Sequence, residues 1–138
     1  MATKVLDSWA LIAFFEDEPA AELVEKILAQ AAAEKHKLLL SVVNWGEIYY
    51  NTMREVSQEA AEQQARAIAT LPIDIVGVGD DLTLARQAAI FKATHKMSYA
   101  DCFAAALAKV KNSELLTGDP EFKALEKEIK IAWLMGRT

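Results

Sequence analysis

The sequence predicts a three-layer α/β/α fold with a five-stranded, mainly parallel sheet. Three observations lead there. Short apolar runs recur at five places along the chain. Stretches with helical spacing separate them. The runs are continuously apolar rather than alternating, as strands covered on both faces must be. No linker, repeat or low-complexity stretch interrupts the 138 residues, so one domain over 1–138 is expected.

Each element has a local reason. Residues 3–6 (Thr-Lys-Val-Leu) read as a buried strand ending at Asp7. From Ser8 onward, Trp9, Ile12, Ala13 and Glu16 recur at helical spacing. Pro19 sits near the start of a second helix, where its missing N–H costs nothing. That helix runs to about Lys35, with Leu23, Ile27 and Leu28 on one face. Residues 38–41 form the second strand and 42–56 a helix. Ser57 caps a further helix through Leu71, which Pro72 ends. Residues 73–78 are the third strand. Asp80 or Asp81 opens a helix reaching about His95. An alanine-dense helix covers 98–110, a fourth strand 114–117, a short helix starts at Pro120, and a fifth strand covers 130–134.

Composition narrows the function. Hydrophobic residues make up 53% and charged residues 25%, the balance of a globular chain. No apolar run approaches the roughly 18 residues of a membrane helix. Asp7 and Glu16 interrupt any signal-peptide core, and Cys102 has no disulfide partner, so a cytoplasmic location and no membrane are expected. The net charge of −5 argues against nucleic acid as a partner. Residues 82–113 run the other way, with Arg86, Lys92, Lys96, Lys109 and Lys111 against Asp101 alone. That stretch suits phosphates, or is simply a solvated helix surface.

The chemistry rests on acids. In an open parallel sheet, ligands sit beyond the carboxyl ends of the strands, where strand order reverses. Asp7 directly follows the first strand and Asp119 follows the fourth by two residues. If those strands are neighbours, the two carboxylates share a crevice. Each acid also has a plain structural role. Asp7 can cap the next helix, Asp119 before Pro120 is a common helix start, and Ser98-x-x-Asp101 reads as a capping box. Glu47 is harder to dismiss. It shares a helical face with Val43 and Tyr50, where a carboxylate is costly unless metal-bound or paired, for example with Arg54 or Lys37. Several carboxylates packed together repel one another unless a cation is present, and an all-oxygen donor set suits Mg²⁺ or Mn²⁺. Phosphate-binding glycine loops and serine-nucleophile motifs are absent. His36 and His95 lack zinc spacing, and Cys102 lies in an apolar helix. Trp9, Trp45 and Trp133 read as core or interface residues.

The sequence resembles the PIN-domain ribonucleases, specifically the VapC-type toxins of toxin–antitoxin pairs. The resemblance is carried by Val5-Leu6-Asp7-Ser8, Glu47-Ile48, Ser98-Tyr99-Ala100-Asp101 and Leu116-Thr117-Gly118-Asp119-Pro120-Glu121-Phe122, in the family's order and over nearly the whole chain. It implies a PIN-like fold and a metal-dependent endoribonuclease, with Asp7, Glu47, Asp101 and Asp119 as the acidic quartet. Asp7 and Asp101 would be the most direct metal ligands, and Ser8 and Thr117 hydroxyls that support the cluster. It further implies an RNA substrate cut to 5′-phosphate and 3′-hydroxyl ends, a cognate antitoxin, and a homodimer. An apolar groove between the helices of residues 9–28 and 42–56, near Phe14, Phe15, Tyr49 and Tyr50, is the expected antitoxin site. Two departures stand out. Trp9 follows Ser8 where a small residue is common, and Gly46 precedes Glu47 where a small hydroxyl residue is usual.

Two other classes compete. A catalytically silent PIN-like module would hold a protein partner and need not bind Mn²⁺. A phospho-acceptor signalling domain wants paired acids after the first strand and a lysine after the last. Asp7-Ser8 supplies one acid, and Leu134-Met135-Gly136 follows the fifth strand.

Overall fold

The computed structural model describes residues 1–135. Gly136, and with it residues 136–138 of the expected domain, lie outside the described residues. The strands are β1 (Ala2–Leu6), β2 (His36–Ser41), β3 (Ile73–Val76), β4 (Glu114–Thr117) and β5 (Ile131–Trp133). They form one sheet in the order β3-β2-β1-β4-β5, and every pairing is parallel. The helices are α1 (Ser8–Phe15), α2 (Ala21–Ala32), α3 (Val42–Glu55), α4 (Gln58–Ala69), α5 (Thr83–Thr94) and α6 (Tyr99–Val110). A 3₁₀ turn spans Pro120–Leu125. Among the described residues no helix is long and apolar enough to cross a membrane.

The two-residue period of the strands divides the core. Val5, Leu39 and Leu115 face one side, where α5, α6 and Phe122 cover them. Leu6, Leu38, Leu40 and Leu116 face the other, under α1, α2 and Ile48 of α3. The alanines of α6 let that helix lie close on the sheet, and Ala104, Ala105, Ala106 and Ala108 are fully buried.

Several elements stop short of their expected ends. The second helix ends at Ala32 rather than about Lys35, and Glu34 turns the chain with a φ of 61°. The third strand ends at Val76 rather than 78, and the fourth helix at Ala69. Thr83 rather than an aspartate begins α5, although the Asp81 carboxylate accepts from the Thr83 N–H at 3.2 Å. His95 ends α5 as its C-cap, and Cys102 is buried core.

Candidate active site

Strand order reverses between β1 and β4, which pair directly with Leu6 opposite Leu116. Asp7 and Asp119 therefore emerge side by side from the carboxyl edge of the sheet. Asp7 is almost fully buried. It caps α1 by accepting from the Ala10 N–H at 2.9 Å, and accepts from the Thr117 hydroxyl at 2.5 Å. Thr117, also buried, accepts in turn from the Asp119 N–H at 3.0 Å. The Asp119 carboxylate caps the 3₁₀ turn through the Glu121 N–H at 2.9 Å. Thr117 is thus the pivot that spaces two carboxylates from neighbouring strands.

Asp101 enters from the first turn of α6, where Ser98 caps its N–H at 3.1 Å. Carboxylate oxygens of Asp101, Asp119 and Glu121 all lie within 4.8 Å of one another. Glu121 is a member of this group that the sequence passed over. Its position two residues after Asp119, at a helix start, was the available signal. Glu47 lies on α3 near enough to raise the pKa of Asp101. Its suggested pairings do not form. Arg54 stacks 4.7 Å from the Tyr50 ring centroid, and Lys37 pairs with Asp74 at 3.4 Å.

The electrostatics report crowding. Burial, opposed by the Thr117 and Ala10 hydrogen bonds and reinforced by Asp101 and Asp119, raises Asp7 to about 7. Burial, then the charges of Asp119 and Glu47, raises Asp101 to about 7 as well. Among the described residues, no ammonium or guanidinium pairs with Asp7, Glu47, Asp101, Asp119 or Glu121. An all-carboxylate donor set, buried at Asp7 and partly exposed elsewhere, with no countercharge among the described residues fits a hard divalent cation such as Mg²⁺ or Mn²⁺.

Two further residues shape the surroundings. Ser8, buried behind Asp7, donates to the Asn44 backbone carbonyl at 3.3 Å. Asn44 is fully buried and was not anticipated from the sequence. Its only signal is a short polar side chain one helical turn before Glu47. The unusual Trp9 has a matching glycine. A Cβ added to Gly118 would sit 2.2 Å from Trp9 Cη2, so the indole occupies the space beside Gly118.

A family model described as PIN domain matches residues 4–128. The chain belongs to the PIN domain family. No curated protein matches it in sequence. Among solved structures, this PIN domain is similar to DNA-bound VapBC from Salmonella typhimurium, at 13% identity and a TM-score of 0.75, covering 98% of this chain and 100% of that one. It is similar to VapBC2 from Rickettsia felis bound to a DNA fragment from their promoter, at 12% identity and a TM-score of 0.71, covering 96% and 99%. It is also similar to the sarcin-ricin loop cleaving toxin VapC20 from Mycobacterium tuberculosis, at 17% identity and a TM-score of 0.67, covering 88% and 93%.

A small crevice between α1, α3 and α4 is lined by Ile12, Glu16, Asn51, Thr52, Glu55 and Gln64. Phe14 and Phe15 pack against the core, and Trp45 stacks on Tyr49 at 5.6 Å. At the turn between α5 and α6, Lys92, His95, Lys96 and Ser98 line an open cavity of about 680 Å³. The Lys92 ammonium donates to the Met97 carbonyl at 2.7 Å, and Lys109 lies 5.5 Å from the Phe91 ring centroid.

Proposed function

We propose that this PIN domain is a metal-dependent endoribonuclease and the toxin component of a toxin–antitoxin pair. One observation carries the reading. Four separate elements deliver Asp7, Glu47, Asp101 and Asp119 to one electrostatic cluster at the sheet's switch point, with no cation among the described residues paired to any of them. In this reading those four carboxylates hold Mg²⁺ or Mn²⁺, Glu121 stands beside them, and Ser8 and Thr117 support them.

When bound, such an ion supplies positive charge that acidifies water and stabilises charge developing on a phosphate. The chain's own contribution is placement. The Ala10 N–H and the Thr117 hydroxyl fix both oxygens of Asp7, and Ser98 fixes the turn that carries Asp101. Hydrolysis adds water to phosphorus and breaks the P–O3′ bond, leaving 5′-phosphate and 3′-hydroxyl ends. Lys96 is exposed at the cavity beside the Ser98 turn, where it suits a flanking phosphate of the RNA.

The proposal extends to partners. Solved relatives include toxin–antitoxin complexes, which supports a cognate antitoxin as a ligand of this chain. A homodimer and a cytoplasmic location complete the reading.

The test incubates the purified chain, free of any partner, with structured and single-stranded RNAs in Mg²⁺, Mn²⁺ or EDTA. Asp101→Asn removes a charge while keeping shape, and cleavage is expected to disappear in it and in EDTA. Cleavage unchanged in Asp101→Asn refutes the site. No cleavage together with no Mn²⁺ binding by calorimetry leaves a silent protein-binding module.

A further inference from the structure

We infer that Asn44 is a positioning residue that braces the acidic centre by tying together the three elements carrying Asp7, Glu47 and Asp101. The inference rests on the metal-site reading above and adds a residue to it. Asn44 lies in the first turn of α3, one turn before Glu47. Its Nδ2 donates to Ser8 Oγ at 3.2 Å and to the Ala100 carbonyl at 3.1 Å. Ser8 directly follows Asp7, and Ala100 directly precedes Asp101. Ser8 closes a ring by donating back to the Asn44 carbonyl at 3.3 Å. One planar amide therefore sets the angle between the starts of α1 and α6, viewed from the helix that bears Glu47.

The amide orientation follows from chemistry. The Ala100 carbonyl only accepts, and the Ser8 hydroxyl proton is already given to the Asn44 backbone. Only the NH₂ end can satisfy both contacts. The consequence is that Asn44 Oδ1 is buried without a hydrogen-bond partner. A buried acceptor left unsatisfied opposes folding, so packing alone gives no reason for an amide here. Its two donors give Asn44 its use. They hold three carboxylate-bearing elements together against the mutual repulsion of their charges.

The test compares wild type with Asn44→Leu, which removes both donors and the orphaned oxygen while keeping the branch at Cγ. Asn44→Ser, too short to reach both acceptors, carries the same test should the leucine variant not fold. Three quantities are read: thermal midpoint in EDTA, Mn²⁺ affinity by calorimetry, and hydrogen exchange of the first turn of α6 in the metal-free protein. Outer partners of metal ligands typically carry about 10–100-fold in affinity. The expected result is that weakening of Mn²⁺ binding, with faster exchange in that turn and exchange elsewhere unchanged. Unchanged Mn²⁺ affinity in a folded variant overturns the inference and leaves the metal site standing. An affinity loss matched by an equal loss of global stability, with exchange raised everywhere, reduces Asn44 to a packing residue. A wild type that binds no Mn²⁺ overturns the metal-site reading and this inference together.

Discussion

Asp7 offers a direct measure of how much stability the acidic cluster costs the metal-free fold. Its carboxyl is raised from an ordinary 3.8 to about 7, with burial the largest cause and the Thr117 and Ala10 hydrogen bonds opposing it. A shift of about 3 units at roughly 1.4 kcal/mol each gives a ceiling of about 4 kcal/mol, since an ionising carboxyl can draw in water or move. The sign follows from proton counts. Between about 4 and 7 the folded chain keeps a proton that the unfolded chain has released, so stability falls as pH rises. The contribution of Asp7 is fully present below 3.8 and is lost through pH 7. Asp101 shifts in the same direction but is more exposed, so its share is smaller. Asp7→Asn removes the titration and keeps an acceptor for the Ala10 N–H. Urea unfolding of both proteins in EDTA, from pH 5 to about 9, isolates Asp7 as the difference between two curves. Wild type is expected to lose stability across this range. The variant should run flatter and be more stable at about pH 8 by up to about 4 kcal/mol. Mn²⁺ should restore wild type and do much less for Asp7→Asn. Equal stability of wild type at pH 5 and 8, or a variant weaker than wild type at pH 8, refutes the reasoning.

Two further perturbations probe the scaffold around the carboxylates. Thr117→Val keeps shape but strips Asp7 of its hydroxyl donor and the Asp119 N–H of its acceptor. A loss of about 1–3 kcal/mol in urea unfolding at pH 6 is expected, and no loss would mean that water replaces the hydroxyl. Gly118→Ala drives a methyl into the Trp9 ring, so a similar loss of about 1–3 kcal/mol is expected and should shrink in a Trp9→Leu background. Strictly additive losses would show that the two residues do not meet.

How far the sequence carried these conclusions differs by residue. Neighbouring β1 and β4 were legible as a condition, because continuous apolar runs between helices leave parallel pairing as the natural solution. The strand order itself depends on which long-range pairs form, and short strands of Leu and Val do not encode that locally. Glu47 was legible as a misfit on a half-apolar face, yet its lack of a cationic partner among the described residues was not. Arg54 and Lys37 were in reach along the chain, and only tertiary structure sends one to Tyr50 and the other to Asp74. Asn44 was hidden for the same reason. Its acceptors lie 36 and 56 residues away, and an asparagine in a helical first turn is ordinary.

At Asp7 and Asp119 the roles of capping residue and proposed metal ligand are compatible. Both do cap: Asp7 holds the Ala10 N–H and Asp119 the Glu121 N–H. In a parallel sheet every strand must hand over to a helix at the same edge, so helix starts converge there. A capping carboxylate is pinned by a backbone donor, and its remaining lone pairs point away from its own helix. The partial positive charge of the helix start also tempers repulsion between neighbouring acids. Capping is therefore how the fold aims these carboxylates, and it serves the metal-binding role proposed for them. What separates this edge from any row of ordinary caps is the addition of groups that cap nothing. Glu47 sits in the middle of α3, Asp101 already has Ser98 as its cap, and Glu121 is itself the capped residue. A fold that needed only helix ends has no use for three more carboxylates at a point where burial raises both Asp7 and Asp101 to about 7.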